Sequence, residues 1–198
     1  MKKDDQKDLI KEEGLTYDDY AKLPEEGPRY ELVDGKLELM SPAPTSDHQL
    51  ISNNLVSVMN DSCRHDYLIL DAPIDLILAK NQVRQPDIVM IHRSRHHIIT
   101  RRGIEGAPDL IVEILSPSTA LNDKREKRQT YARFGISEYW IVDPIHRTLE
   151  QYLLNEGNQR YELHNIYGSE EETITSPTVT CLAISVNELF RDLDLLNG

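Results

Sequence analysis

An α/β domain built on a mixed β-sheet is the fold class that this 198-residue chain predicts. Three observations carry that expectation. Short apolar runs of strand character are interleaved with segments whose apolar residues recur at helical spacing. Two hairpin signals, one near each end, flank two runs that look buried on both faces. The composition, 39% hydrophobic and 28% charged, is that of a globular chain long enough to build a core without disulfides.

The elements follow in order. Residues 1–14 are charged and lack apolar periodicity, which predicts a flexible tail before a single domain over 15–198. Thr16 with Asp19 resembles a capping box, and Pro24 stops that short helix within two turns. Tyr30-Glu-Leu-Val-Asp-Gly-Lys-Leu-Glu-Leu39 alternates around Asp34-Gly35 and predicts an N-terminal hairpin. After Pro42 and Pro44, Leu50, Ile51, Leu55, Val58 and Met59 mark a helix from about Asp47 to Cys63. Strands are expected at Tyr67–Asp71, Ile74–Ala79 and Asp87–His92. Asp109–Leu115 reads as a strand buried on both faces. A polar helix then begins near Asp123 and stops before Gly135, and Glu138–Asp143 is a further buried strand in which Tyr139 and Trp140 are core residues. Thr148–Leu154 and Arg160–Asn165 form a C-terminal hairpin, Val179–Ile184 an edge strand and Val186–Leu193 a closing helix.

Several classes are excluded or disfavoured. No apolar stretch approaches the ~20 residues of a membrane span, and no apolar segment follows Met1-Lys-Lys-Asp-Asp to make a secretory signal. A cytoplasmic protein is therefore expected. Cys63 and Cys181 are too few and too far apart in sequence to suggest a disulfide framework or a zinc site. The net charge of −12 argues against a nucleic-acid partner, but it is unevenly spread. Lys80 to Arg133 holds eleven Lys/Arg against six Asp/Glu, a local +5, and the rest of the chain carries −17. That segment is either an ordinary solvated surface or a basic working face on an acidic body.

Pro86-Asp87, Glu113 within an apolar strand and Lys127 on the helix after it form the one constellation with chemical promise. A carboxylate inside such a strand is costly unless it is paired or binds a cation. Two acids on neighbouring strands can hold a hard divalent ion, and an ammonium beside them can steady an attacking water or a charged phosphate. A structural salt bridge is the competing explanation.

These residues lie within longer motifs. Tyr30-Glu-Leu-Val-Asp-Gly35, Ser41-Pro42 through His48, Pro86-Asp-Ile-Val-Met-Ile91, Pro108-Asp-Leu-Ile-Val-Glu-Ile-Leu-Ser-Pro-Ser-Thr119 and Tyr131-Ala-Arg-Phe-Gly-Ile-Ser-Glu-Tyr-Trp-Ile-Val-Asp-Pro144 resemble the Uma-two family of the PD-(D/E)xK nuclease superfamily, over roughly 15–190. The resemblance implies a restriction-endonuclease-like core, a central mixed β-sheet flanked by helices, and Mg²⁺-dependent DNA cleavage, with Mn²⁺ able to substitute. It matches Asp87 and Glu113 to the two metal-binding acids. Leu115 stands where the superfamily places its lysine, and the family pattern implies a lysine moved onto the next helix four residues before a Tyr, which Lys127 and Tyr131 satisfy. Lys124, Arg125 and Arg128 are alternative bases.

Glu31 and His48 match further family positions: Glu31 as a third carboxylate or supporting contact, or else one half of a cross-strand pair, and His48 as a ligand-orienting or backbone-bonding residue. Arg93, Arg101, Lys124 and Arg128 are the candidate contacts to nucleic-acid phosphates, against a solvated surface as the alternative. The expected protein is thus a DNA endonuclease, with a homodimer suited to cutting both strands. A binding module that has lost strong catalysis and a metal-dependent hydrolase of another phosphoester are the alternatives.

Overall fold

A computed structural model describes residues 13–24, 26–41, 43–116 and 120–197, with backbone alone for 120–124 and 197. Most of the expected tail, Pro42 and the segment 117–119 lie outside the described residues. The first turn is the expected capping box: the Thr16 backbone N–H and hydroxyl both donate to Asp19, and α1 (Tyr17–Tyr20) ends before Pro24. β1 (Tyr30–Val33) and β2 (Lys36–Leu39) pair antiparallel across Asp34-Gly35. Both turn residues have positive φ, 47° and 81°, the backbone that favours Asp-Gly in a two-residue hairpin. α2 (Ser46–Cys63) follows, its Thr45 hydroxyl accepting from the His48 N–H at 3.4 Å.

The remaining elements are β3 (Tyr67–Asp71), β4 (Leu76–Ala79), β5 (Gln82–Arg84), β6 (Ile88–His92), β7 (Ile99–Thr100), β8 (Gly103–Glu105), β9 (Leu110–Ile114), α3 (Ala120–Arg133), β10 (Glu138–Asp143), β11 (Thr148–Asn155), β12 (Arg160–Tyr167), β13 (Thr173–Thr175), β14 (Ala183–Ser185) and α4 (Val186–Leu189). They form two mixed six-stranded sheets and a two-stranded ribbon. The larger strands order as β12-β11-β10-β9-β6-β3, with β9 and β10 parallel and their other neighbours antiparallel. The shorter ones order as β2-β1-β5-β4-β8-β7. β5, β7, β8 and β13 are the strands without a counterpart in the expected pattern; none exceeds three residues, too short for alternation to show.

β9 is buried along its whole length, as its apolar run predicts. One face, Leu110, Val112 and Ile114, packs with Trp140 and Val142 against Ile51, Leu55 and Met59 of α2. The other face, Ile111 and Leu115, packs with Tyr139, Ile141 and Tyr131 of α3 and with Leu76 and Ile104 of the second sheet. Glu113 is the acidic side chain on that second, α3-facing side. The chain after β12 returns to α2, where Val179, Leu182, Ile184 and Leu189 join the first cluster.

That return corrects the expectation about cysteine. Cys63 closes α2 and Cys181 precedes β14, and the two form a disulfide across 118 positions of sequence, with Cα atoms 5.4 Å apart. Distance in sequence says nothing about distance in space once the C-terminal segment packs over the helix. Among the described residues no helix is long and apolar enough to cross a membrane.

Candidate active site

β6 and β9 pair with Ile88 opposite Val112, so one further step of the same register sets Asp87 opposite Glu113. Directly opposed residues point to the same face of a sheet. The two carboxylates are therefore brought together at the end of β6, as the sequence predicts. Asp87 Oδ2 accepts from the Ile114 N–H at 2.7 Å and from His48 Nε2 at 3.1 Å. Its backbone carbonyl accepts from the Ala72 N–H at 2.9 Å, which pins the acid at both ends.

α3 covers Glu113. Lys127 and Tyr131, one turn apart, grip both of its oxygens: the ammonium donates to Oε2 at 2.9 Å and the phenol to Oε1 at 2.7 Å. Glu113 and Lys127 are 5% and 7% exposed, so the contact is shielded from water. Burial, opposed by Lys127 and reinforced by the charge of Asp87, pushes the Glu113 carboxyl up to about 8. Burial also drives the Tyr131 hydroxyl well above its ordinary value, with the Glu113 charge adding to it.

Lys127 also reaches the second sheet. Its Nζ lies 3.7 Å from Glu31 Oε1 on β1. Glu31 faces Arg84 of β5, because Leu32 pairs with Val83, and Arg84 donates to Glu31 Oε2 at 2.8 Å. The Gln85 N–H donates to Oε1, also at 2.8 Å. Burial works against the Glu31 charge, yet Lys127 and Arg84 hold its carboxyl below the usual range. Arg84 is the site residue that sequence reasoning missed. It ends a three-residue strand, and a basic residue just ahead of Pro86-Asp87 is its faint signal.

His48 stands in the first turn of α2, buried against Asp87. Burial works against its charged form, but the bond to Asp87 and that carboxylate's charge raise its pKa. Its Nδ1 is buried without a hydrogen-bond partner.

The donor chemistry fits a hard divalent ion. Two carboxyl groups face each other, Glu113 pushed up by burial and by the Asp87 charge, and Asp87 Oδ1 stands outside the bonds just described. Among the described residues no cluster of three or more His, Cys, Asp or Glu side chains is placed to hold a metal. Two carboxylates plus water or substrate oxygens is a coordination that Mg²⁺ accepts.

The predicted phosphate contacts separate. Arg93 follows β6 at the end opposite Asp87, roughly 20 Å along the strand, and its guanidinium donates to the Arg64 carbonyl at 2.9 Å. Arg128 sets its guanidinium over the Tyr152 ring, 5.2 Å from the centroid. The Lys124 side chain lies outside the described residues. Arg101 is exposed in the β7–β8 turn, where it rims a groove with Arg102, Pro73, Asp75 and Gln85. Gln85, whose N–H holds Glu31, lines this groove, while Asp87, Glu113 and Lys127 do not.

A crystal structure titled as a putative nuclease belonging to DUF820, from Anabaena variabilis, superposes with a TM-score of 0.73. It is 24% identical, and the match covers 89% of this chain and 98% of that one. At that identity the likeness speaks to the fold, which is restriction-endonuclease-like. No curated protein matches the chain. The sequence profile of the Uma2 family, described as "Putative restriction endonuclease", matches residues 17–187. That span opens at α1, takes in both acids and the lysine that bridges the two sheets, and closes on α4, and by it the chain belongs to the Uma2 family.

Proposed function

We propose that this protein is a Mg²⁺-dependent DNA endonuclease, with Mn²⁺ able to substitute, that hydrolyses phosphodiester bonds at Asp87, Glu113 and Lys127. The observation that carries the reading is the convergence of two opposed carboxylates and one buried ammonium at the end of β6. Membership of the Uma2 family, described as "Putative restriction endonuclease", supports it.

Asp87 and Glu113 would hold the ion. When bound, such an ion supplies an acidified water and neutralises charge at the scissile phosphate. The chain's own residues do the rest. His48 fixes the Asp87 carboxylate through Oδ2, and Tyr131 fixes Glu113 through Oε1. Lys127 presents a cation to the attacking water and to the charge that grows on the phosphate. Arg101 and the groove it rims offer the neighbouring phosphates a cationic edge. Two copies related by a twofold axis would address both strands of a duplex.

Plasmid DNA incubated with the protein tests this. Nicked or linear product is expected with Mg²⁺ or Mn²⁺, not with EDTA, and not from Asp87→Asn. Binding of duplex in Ca²⁺ with no cleavage under any metal would favour a non-catalytic binding module. Hydrolysis of bis(p-nitrophenyl) phosphate without any cleavage or binding of DNA would favour a hydrolase of another phosphoester.

A further inference from the structure

We infer that the buried Arg84–Glu31 pair is a positioning device that keeps the Lys127 ammonium in the site independently of Glu113. The inference rests on the nuclease reading and adds Arg84 to it. Glu113 and Asp87 are the groups to which a divalent ion would be drawn, so the ion and the ammonium compete for the same carboxylate and repel each other. A lysine with no other anchor would leave its post just when its charge is needed.

Glu31 is placed to prevent that. It comes from the other sheet, and both its oxygens are already fixed, Oε2 by Arg84 and Oε1 by the Gln85 N–H, each at 2.8 Å. It therefore cannot swing after a metal ion, while Lys127 Nζ stays 3.7 Å from Oε1. Arg84 is itself locked. It is 2% exposed, stands opposite Glu31 in the β1–β5 register, and donates to Thr130 Oγ1 at 3.4 Å. Thr130 lies three positions after Lys127 on α3, so helix, lysine, Glu31 and Arg84 close a ring of interactions across the gap between the two sheets. A charged pair this dry is expensive to bury, and holding a catalytic cation gives that expense a purpose.

The test uses Glu31→Gln, Arg84→Met and Lys127→Met, the Glu31→Gln/Lys127→Met double, and Glu31→Gln/Arg84→Met. The last removes both members of the pair, so it leaves no orphaned charge if the single variants fold poorly. Three readouts are taken: plasmid cleavage in Mg²⁺, Ca²⁺ affinity by calorimetry, and the Lys127 ammonium resonance by NMR in Ca²⁺, assigned by its disappearance in Lys127→Met. Removing the pair should slow kcat by about 10- to 100-fold and leave KM within about threefold. Ca²⁺ affinity should hold, the ammonium resonance should broaden away, and the Glu31→Gln/Lys127→Met double should cleave no more slowly than Lys127→Met alone.

Rate defects that multiply in the double overturn the inference, as do parent-like kcat with a sharp resonance, or a Ca²⁺ affinity that falls with Glu31→Gln, which would make Glu31 a metal ligand. A parent protein that cleaves nothing sinks the nuclease reading instead, and the resonance still reports on the positioning.

Discussion

Asp87 stands directly across the β6–β9 ladder from Glu113, a half-buried carboxyl facing a buried one. Ionising both carboxyls at once is unfavourable in this setting. Burial, with the Asp87 charge adding to it, raises the Glu113 carboxyl from the usual value near 4.5 to about 8.

The consequence is a stability that depends on pH in a defined direction. Below about pH 4.5 the Glu113 carboxyl is protonated in both folded and unfolded chains and contributes nothing. As pH rises toward 8, the unfolded chain has released a proton that the folded one retains, so stability falls across that window. Glu113→Gln should therefore match the parent near pH 5 in EDTA and exceed it near pH 9, by on the order of a few kcal/mol. It should also lose divalent-ion binding, as should Asp87→Asn. Denaturant unfolding at the two pH values reads the first effect, and parallel slopes for parent and variant would remove the charge conflict from the site. Calorimetry with Mn²⁺ reads the second.

Much of this site was legible before any coordinates, and the reason is local. Lys127 and Tyr131 share a face because they sit one turn apart on a helix, and Glu113 stands out because its strand is otherwise apolar. The hairpin at Asp34-Gly35 and the buried strand at Trp140 follow from equally short-range patterns. What stayed hidden depends on long-range docking. Arg84 acquires meaning only when β5 pairs with β1, 53 positions away from Glu31 in the chain, and half of the second sheet, β5, β7 and β8, consists of strands too short to announce themselves. Arg93 and Arg101 look alike in sequence; which end of β6 each one neighbours is a property of the sheet, not of the motif.

The disulfide gives a prediction of its own. Closing a loop of 118 positions should stabilise the fold by roughly 5 kcal/mol through the unfolded state. The paired substitution Cys63→Ser/Cys181→Ser should lower the denaturant midpoint by a matching amount, and dithiothreitol should do the same to the parent. A reducing cytosol works against such a bond, so thiol titration of freshly purified protein is the direct check. Two reactive thiols in denaturant without reductant would show that the bond does not form.

The split between Arg93 and Arg101 predicts different salt behaviour. Removing one cationic partner of a DNA phosphate should lower the magnitude of the slope of log binding constant against log salt by about 0.7–0.9. Arg101→Ala should flatten the slope by that amount in Ca²⁺, because the residue is exposed at the rim of a groove and its charge is open to a phosphate. Arg93→Ala should leave it unchanged, because its guanidinium is committed to the Arg64 carbonyl at the far end of β6. Fluorescence anisotropy of a labelled duplex between low and moderate salt distinguishes them. A slope that responds to Arg93 and ignores Arg101 would place the DNA on the other end of the sheet.

The lysine itself admits the sharpest test. The proposed chemistry needs an ammonium near the attacking water and is indifferent to which backbone position supplies it. Lys127 delivers the group from α3, 2.9 Å from Glu113. Leu115 shares the Glu113 side of its strand, buried in the cluster that contains Tyr131, and a lysine there would approach the same acids from below. Lys127→Ala should slow cleavage by about 10²–10³-fold, the usual cost of losing one charge-stabilising group, while Ca²⁺ still binds. Adding Leu115→Lys to that variant should recover part of the rate, at some cost in stability because an ammonium replaces an apolar side chain. Neighbouring bases serve as controls: Arg128→Ala should cleave like the parent, since its guanidinium lies against Tyr152. If Lys127→Ala cleaves normally and Arg128→Ala does not, the helix presents a different face in the working enzyme. If both cleave at the parent rate, the ammonium is not part of the chemistry, and the Lys127–Glu113 pair is only the structural bridge between helix and sheet.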